Sequence, residues 1–198
     1  MGIGTNVRGR ATRRALFDAA KRLFVEQGYA AVSHADIAAE AGIGRTTFYE
    51  HFASKEELLV KLVERELPDL VEEMLASIDP ELDPEEELVE LTKRMIEFVA
   101  TDHLGLILHT EVPKLSAESQ AAIARSHAGL AEAFVRVYRE GVAAGRFRPM
   151  EPELAGRLID HVIMAAGRVV MDAPDPRARV AEVAETTASF LLEGLRSR

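Results

Sequence analysis

Apolar residues in this chain recur at every third or fourth position in segment after segment, and no alternating run is long enough for a strand. That periodicity restricts the chain to an all-α fold of about nine helices. Leu16, Ala19, Ala20, Leu23 and Phe24 form the first stripe, predicting a helix from about Arg10 to Gln27 that Gly28 stops. Ser33 is placed to cap a short helix carrying Ile37, Ala38 and Ala41, and Gly42 ends it. A third short helix runs from about Arg45 to His51. Ser54 with Glu57 reads as a capping box opening a longer helix, which Pro68 is expected to kink or divide. Beyond the loop Ser77 to Pro84 the same spacing predicts one helix through Leu88 and Val99 and a short apolar segment Leu104 to Val112. It then predicts a long helix from Ser116 to near Gly145 and two final helices, from Pro152 and through Val180 to Leu195.

Two short helices joined by the turn "AGIG" form a helix-turn-helix, whose second helix has the size to enter a DNA major groove. At about 100° per residue, Phe48 and Phe52 share one face of "RTTFYEHF" and should pack on Ile37 and Leu23. Arg45, Thr46, Tyr49 and Glu50 then point outward, a set suited to base edges and phosphates. An ordinary helical hairpin is the alternative on spacing alone.

Charge must be compatible with such a partner, and the chain as a whole carries a net charge of −9. The excess is uneven. Residues 1–53 hold seven bases against five acids, a net of +2, with four of the bases between Arg8 and Arg14, whereas residues 54–198 hold 17 bases and 28 acids, a net of −11. A basic arm leading into a nearly neutral head fits phosphate contact, and it equally fits a solvated tail. Cysteine is absent, which excludes disulfides, thiolate metal sites and thiol redox sensing. The first residues have no apolar core of a signal peptide, and no apolar run approaches the ~20 residues of a membrane span, so a cytoplasmic address is expected.

Over residues 13–59 the sequence resembles the DNA-binding domain of the TetR family of transcriptional regulators: "ALFDAAKRLFVEQGYAAVSHADIAAEAGIGRTTFYEHFASKEELL" follows its pattern almost throughout. The likeness rests on the Ala-rich start, the LF…GY ending, the DIA…AG core, the T-x-Y-x-H-F recognition helix and the SKEELL opening. It implies that Ser33 caps and reaches a phosphate, with His34 near the backbone. It further implies that Arg45, Thr46 and Thr47 meet bases, and that Tyr49, His51 and Lys55 meet phosphates. Glu50 is the exception, an acid facing a polyanion, and it is expected to pair with Arg45 or Arg22 and to act against wrong sites.

The resemblance divides the chain into a DNA-binding domain with its basic arm, 1–53, and an effector-binding and dimerisation domain, 54–198. A single helix-turn-helix covers one half-site, so a homodimer on double-stranded operator DNA is expected. Ala165, Ala166, Val169, Val183, Thr187 and Leu191 of the last two helices are its candidate interface. Met95, Phe98, His109, His127, Phe134, Tyr138, His161 and Met164 are the candidate effector pocket, though at helical spacing they serve equally as core. Acidic surroundings favour a neutral or cationic effector. The whole then reads as a repressor released by a small molecule, with no cofactor and no metal. The alternatives are a helical interaction protein and an all-α metal-dependent or ligand-processing enzyme using His103, His109, Glu111 and His127. That enzyme set lacks the i, i+4 histidine spacing of a helical metal site.

Overall fold

The computed structural model describes residues 3–101, 103–126 and 128–197, with side chains at all of these except 3–7, 103, 106 and 109. Among the described residues every regular element is helical: α1 (Ile3–Gln27), α2 (His34–Glu40), α3 (Arg45–His51), α4 (Lys55–Ala76), α5 (Pro84–Thr101), α6 (His103–Thr110), a 3-10 turn (Val112–Lys114), α7 (Ala117–Ser126), α8 (Ala128–Ala143), α9 (Pro152–Met171) and α10 (Pro176–Leu195). α7 and α8 flank residue 127 in the stretch where one long helix was expected. α1 also begins earlier than expected, so the basic arm Arg8 to Arg14 is helical.

The head is α1 to α3. Leu16, Ala19, Ala20, Leu23 and Phe24 of α1 share one buried cluster with Ile37, Phe48 and Phe52, the face that the helical wheel assigns to the core. Phe17 tilts against Phe52 at 5.3 Å between centroids and Phe48 lies 6.0 Å from Phe52. The turns into and out of α2 depend on glycine. Gly28 (φ 79°) and Gly42 (φ 69°) adopt left-handed backbone, and beyond Gly42 the Ile43 amide donates to the Ala38 carbonyl at 2.9 Å, closing α2.

α4 joins head to body and runs unbroken through Pro68. The proline forfeits one backbone hydrogen bond, but Leu62, Val63, Leu67 and Val71 are buried on both sides of it, and their burial as one stripe outweighs that local loss. At the start of α4, Ser54 Oγ accepts from the Glu57 amide at 3.0 Å, while the Glu57 carboxylate reaches the Ala53 amide rather than that of Ser54. The capping box is therefore shifted by one residue.

In the body α5 packs against α6, α8, α9 and α10, and α4 packs on α7 and α8. Pro152 and the Glu151 carboxylate, which accepts from the Glu153 and Leu154 amides, start α9; Asp175 and Pro176 start α10 in the same manner. α9 is apolar on two sides. The side facing its own chain is Ala155, Ile159, Ile163, Ala166 and Val170, whereas Leu154, Leu158, His161, Ala165 and Val169 lie on the surface and Val162 is half-buried.

Candidate nucleic-acid interface and ligand cavity

The recognition surface is built from α2, α3 and the turn between them. Ser33 caps α2 in a full capping box: its Oγ accepts from the Asp36 amide at 3.2 Å, and Asp36 Oδ2 accepts from the Ser33 amide at 2.8 Å and its hydroxyl at 2.7 Å. Those Ser33 bonds hold the Asp36 carboxyl below the usual carboxylate range. His34 and Tyr49, on different helices, meet at 2.8 Å between Nε2 and Oη, with ring centroids 5.1 Å apart. Arg45, Thr46, Tyr49 and Glu50 are exposed along α3, and Thr47 is half-buried at its edge. His51, also half-buried, lies beside the start of α1, since a Cβ on Gly9 would come within 3.9 Å of its ring. The basic turn at Arg8 and Arg10 is thus brought beside the end of α3.

Two charge assignments differ from the sequence reading. Arg22 donates through Nε and Nη2 to Glu40 Oε1 at 3.1 and 2.8 Å, so it is not the partner of Glu50. Among the described residues Glu50 makes no ion pair, with Arg45 or otherwise. Lys55, expected on a phosphate, turns inward: its Nζ donates to the Tyr29 and Val32 carbonyls at 2.7 Å each and lies 4.1 Å from the Tyr29 ring centroid. Burial lowers the Lys55 pKa, against a smaller opposing effect of Glu111. Burial, with Glu56 and Glu111, pushes the Tyr29 phenol up to about 12. The reason for the inward turn is local, because the chain between Gly28 and Ser33 leaves two carbonyls without helical partners and Lys55 is the cation within reach.

Sequence reasoning missed two further contacts of the head. Arg13 stacks over Phe52 at 5.0 Å and over Phe17 at 5.7 Å, so this base serves the head's own packing. Lys21 pairs with Glu66 of α4 at 2.6 Å.

The body holds a cavity of about 350 Å³ walled by α4, α5, α6, the 3-10 turn, α7, α8 and α9. Its size is that of a small-molecule site. Leu67, Val71 and Met74 of α4, Met95 and Phe98 of α5 and Met164 of α9 give it apolar walls; Gln120, Asp160, His161 and Arg168 are its polar residues. Of the candidates, Met95, Phe98 and Met164 thus line it, and His161 joins them from the surface. The His161 side chain is 80% exposed, with Nδ1 2.8 Å from the Arg157 carbonyl, because it sits on the outer side of α9. Phe134 and Tyr138 do not line it. Both are packed core, and Tyr138 stacks on Phe147 while its hydroxyl donates to the Arg148 carbonyl at 2.9 Å and accepts from the Met150 amide at 2.6 Å. The side chain of His109 and residue His127 lie outside the described residues, as does the side chain of His103. Among the described residues no three His, Asp or Glu side chains are grouped to hold a metal.

The α4 contribution, Leu67, Val71 and Met74, was legible as an i, i+4, i+7 stripe once Pro68 is not taken as the helix end. Of the candidate interface residues, Ala166, Thr187 and Leu191 are buried inside their own chain, Val183 is half-buried, and Ala165 and Val169 are exposed. Sequence periodicity could not choose between the two apolar sides of α9.

Residues 16–62, which span this helix-turn-helix, match the family model described as bacterial regulatory proteins, tetR family, and residues 81–168 match the model described as tetracyclin repressor-like, C-terminal domain. The chain belongs to the TetR family. Among curated TetR-family relatives, the transcriptional repressor KstR2 of Rhodococcus jostii is 29% identical over 193 residues, covering 96% of this chain and 94% of the relative. The solved structure of the fatty acid degradation regulator FadR from Bacillus halodurans superposes with a TM-score of 0.74 at 26% identity, covering 94% of this chain and 97% of that one. FadR from Bacillus subtilis, solved in complex with stearoyl-CoA, gives 0.72 at 24% identity, covering 89% and 97%. This TetR-family chain is accordingly a DNA-binding transcriptional regulator, and the enzyme alternative has no support. Among the described residues no helix is long and apolar enough to cross a membrane.

Proposed function

We propose that the chain acts in the cytoplasm as a homodimeric repressor, without catalytic activity, which leaves its operator when an elongated apolar small molecule enters the body cavity. Residues 1–53 read the DNA and residues 54–198 bind effector and partner. Arg45, Thr46 and Thr47 contact base edges, and Tyr49, held by His34, contacts a phosphate together with His51 and the Ser33 turn. The second protomer packs on the outer side of α9 and on α10, where Leu154, Leu158, Val169 and Phe190 are each about half exposed or more.

One observation carries the reading: α4 supplies both the cavity wall at Leu67, Val71 and Met74 and the lysine that holds the head's 29–32 loop. A ligand that displaces that wall acts on the helix bearing the DNA-reading unit, and it releases DNA only by favouring the DNA-incompetent state. The walls favour an acyl chain over a cationic effector, since Asp160 is accompanied by Arg168 in an otherwise mostly apolar lining. Likeness to the stearoyl-CoA complex is one of fold, so the acyl-chain reading rests on these walls.

A gel-shift titration with the DNA upstream of the coding region, at fixed salt and against a random duplex, tests the function. The operator complex should form specifically and dissociate on addition of stearoyl-CoA. A folded dimer that binds no specific duplex overturns the reading.

A further inference from the structure

The cavity and the head are joined by a second, shorter route than the length of α4. Glu56, in the first turn of α4, accepts at Oε1 from the Ser116 amide at 3.0 Å and from the Ser116 hydroxyl at 2.6 Å, across 60 residues of sequence. Ser116 also caps α7, its Oγ accepting from the Ser119 amide at 3.3 Å. It stands between the 3-10 turn and α7, and both of these line the cavity, through Val112, Pro113 and Gln120. Gln120 is bound into the same turn, its Nε2 donating to the Leu115 carbonyl at 2.9 Å and the Pro113 carbonyl at 3.4 Å. On the other side of Glu56 the adjacent residue is Lys55, whose ammonium holds the Tyr29 and Val32 carbonyls next to the α2 cap, Ser33.

We propose that the Glu56–Ser116 hydrogen bonds form a relay through which occupancy of the cavity is passed from the Gln120 turn to the first turn of α4 and so to the 29–33 loop of the head. The relay rests on the reading of the cavity as the effector site. A ligand entering against Gln120 competes for its amide and moves the turn; Ser116 then draws on Glu56, and the cation beside Glu56 shifts the two carbonyls that set where α2 begins. Glu56 and Ser116 are positioning residues. Neither touches DNA or ligand, so their loss uncouples the two sites rather than emptying either.

The test uses the full chain as Ser116→Ala, Ser116→Thr and Glu56→Ala, the last of which leaves the α7 cap in place. Operator affinity is measured with and without saturating stearoyl-CoA, and stearoyl-CoA affinity without DNA. In the wild type the ratio of the two operator affinities measures the coupling, which for allosteric proteins is about 5- to 150-fold. S116A and E56A should each reduce that ratio at least about threefold while both separate affinities stay within about twofold, and S116T, which keeps the hydroxyl, should restore it. Ratios equal to the wild type in S116A and E56A overturn the relay. If stearoyl-CoA releases no operator from the wild type, the acyl-chain reading fails, and amide hydrogen exchange still decides the relay. S116A and E56A must then speed exchange across residues 29–36 in the ligand-free protein, and unchanged exchange there overturns it.

Discussion

The Lys55 ammonium lies 4.1 Å from the centroid of the Tyr29 ring and bonds the Tyr29 carbonyl at 2.7 Å, so the lysine that opens α4 is a tie between head and body. Lys55→Met removes that bond and the one to Val32 and leaves two carbonyls short of a donor. Hydrogen bonds to charged groups are worth about 1.5–3 kcal/mol, and denaturant unfolding should show a loss of about 2 kcal/mol. The salt dependence of operator binding separates this role from a phosphate contact: its slope should stay at the wild-type value in K55M. A slope reduced by about one would return Lys55 to the DNA.

How far such roles were legible in the sequence depended on whether they arise from local pattern or from a meeting of distant segments. The all-α fold, the three head helices, the caps at Ser33 and Ser54 and the loop before Pro84 are local, and each follows from spacing and capping chemistry. Lys55 was misplaced because nothing near it in sequence announces the free carbonyls of Tyr29 and Val32. Phe134 and Tyr138 were indistinguishable from cavity residues, because burial in a packed core and burial against a void have the same periodicity. α9 carries two apolar sides, and the choice between them is made by α5, α8 and α10 packing on one of them.

Tyr49 and His34 should behave as one unit. Tyr49→Phe removes the hydroxyl proposed to reach a phosphate, and His34→Ala leaves that hydroxyl without the ring nitrogen 2.8 Å away that fixes its direction. Each is expected to weaken operator binding about three- to tenfold, an effect of the size of one ordinary hydrogen bond's net contribution. The double variant should be no weaker than the poorer single one, because both remove the same interaction. Fluorescence anisotropy on labelled operator measures all three, and additive losses would separate the two residues.

Glu50 stands exposed on α3 with no ion pair among the described residues, so on the helix proposed to read DNA its charge is uncompensated. Its effect is then repulsive, and it counts most where no base donor, such as cytosine N4, meets it. Glu50→Ala should therefore tighten binding to random DNA more than binding to operator, lowering the specificity ratio. Competition of operator against random duplex at one salt concentration reads that ratio, and an unchanged ratio would remove Glu50 from discrimination.

Leu158 of α9 and Phe190 of α10 leave 51% and 65% of their surface exposed in the isolated chain, more than a soluble helix normally yields on its outward side. Such a pair of apolar ridges is expected to be covered by the same ridges of a second copy, because a two-fold interface sets like surface against like. Leu158→Glu then places two carboxylates near one axis, each losing water without gaining a cation, a cost that an interface held by apolar contact does not offset. Phe190→Glu acts in the same way on the neighbouring helix. Sedimentation velocity should show the wild type as a dimer and both variants shifted towards monomer, with helical circular dichroism unchanged since neither side chain belongs to the core. Operator affinity should fall with dimerisation, as each head alone grips one half-site. A variant that remains dimeric with its helices intact would place the interface elsewhere on the body.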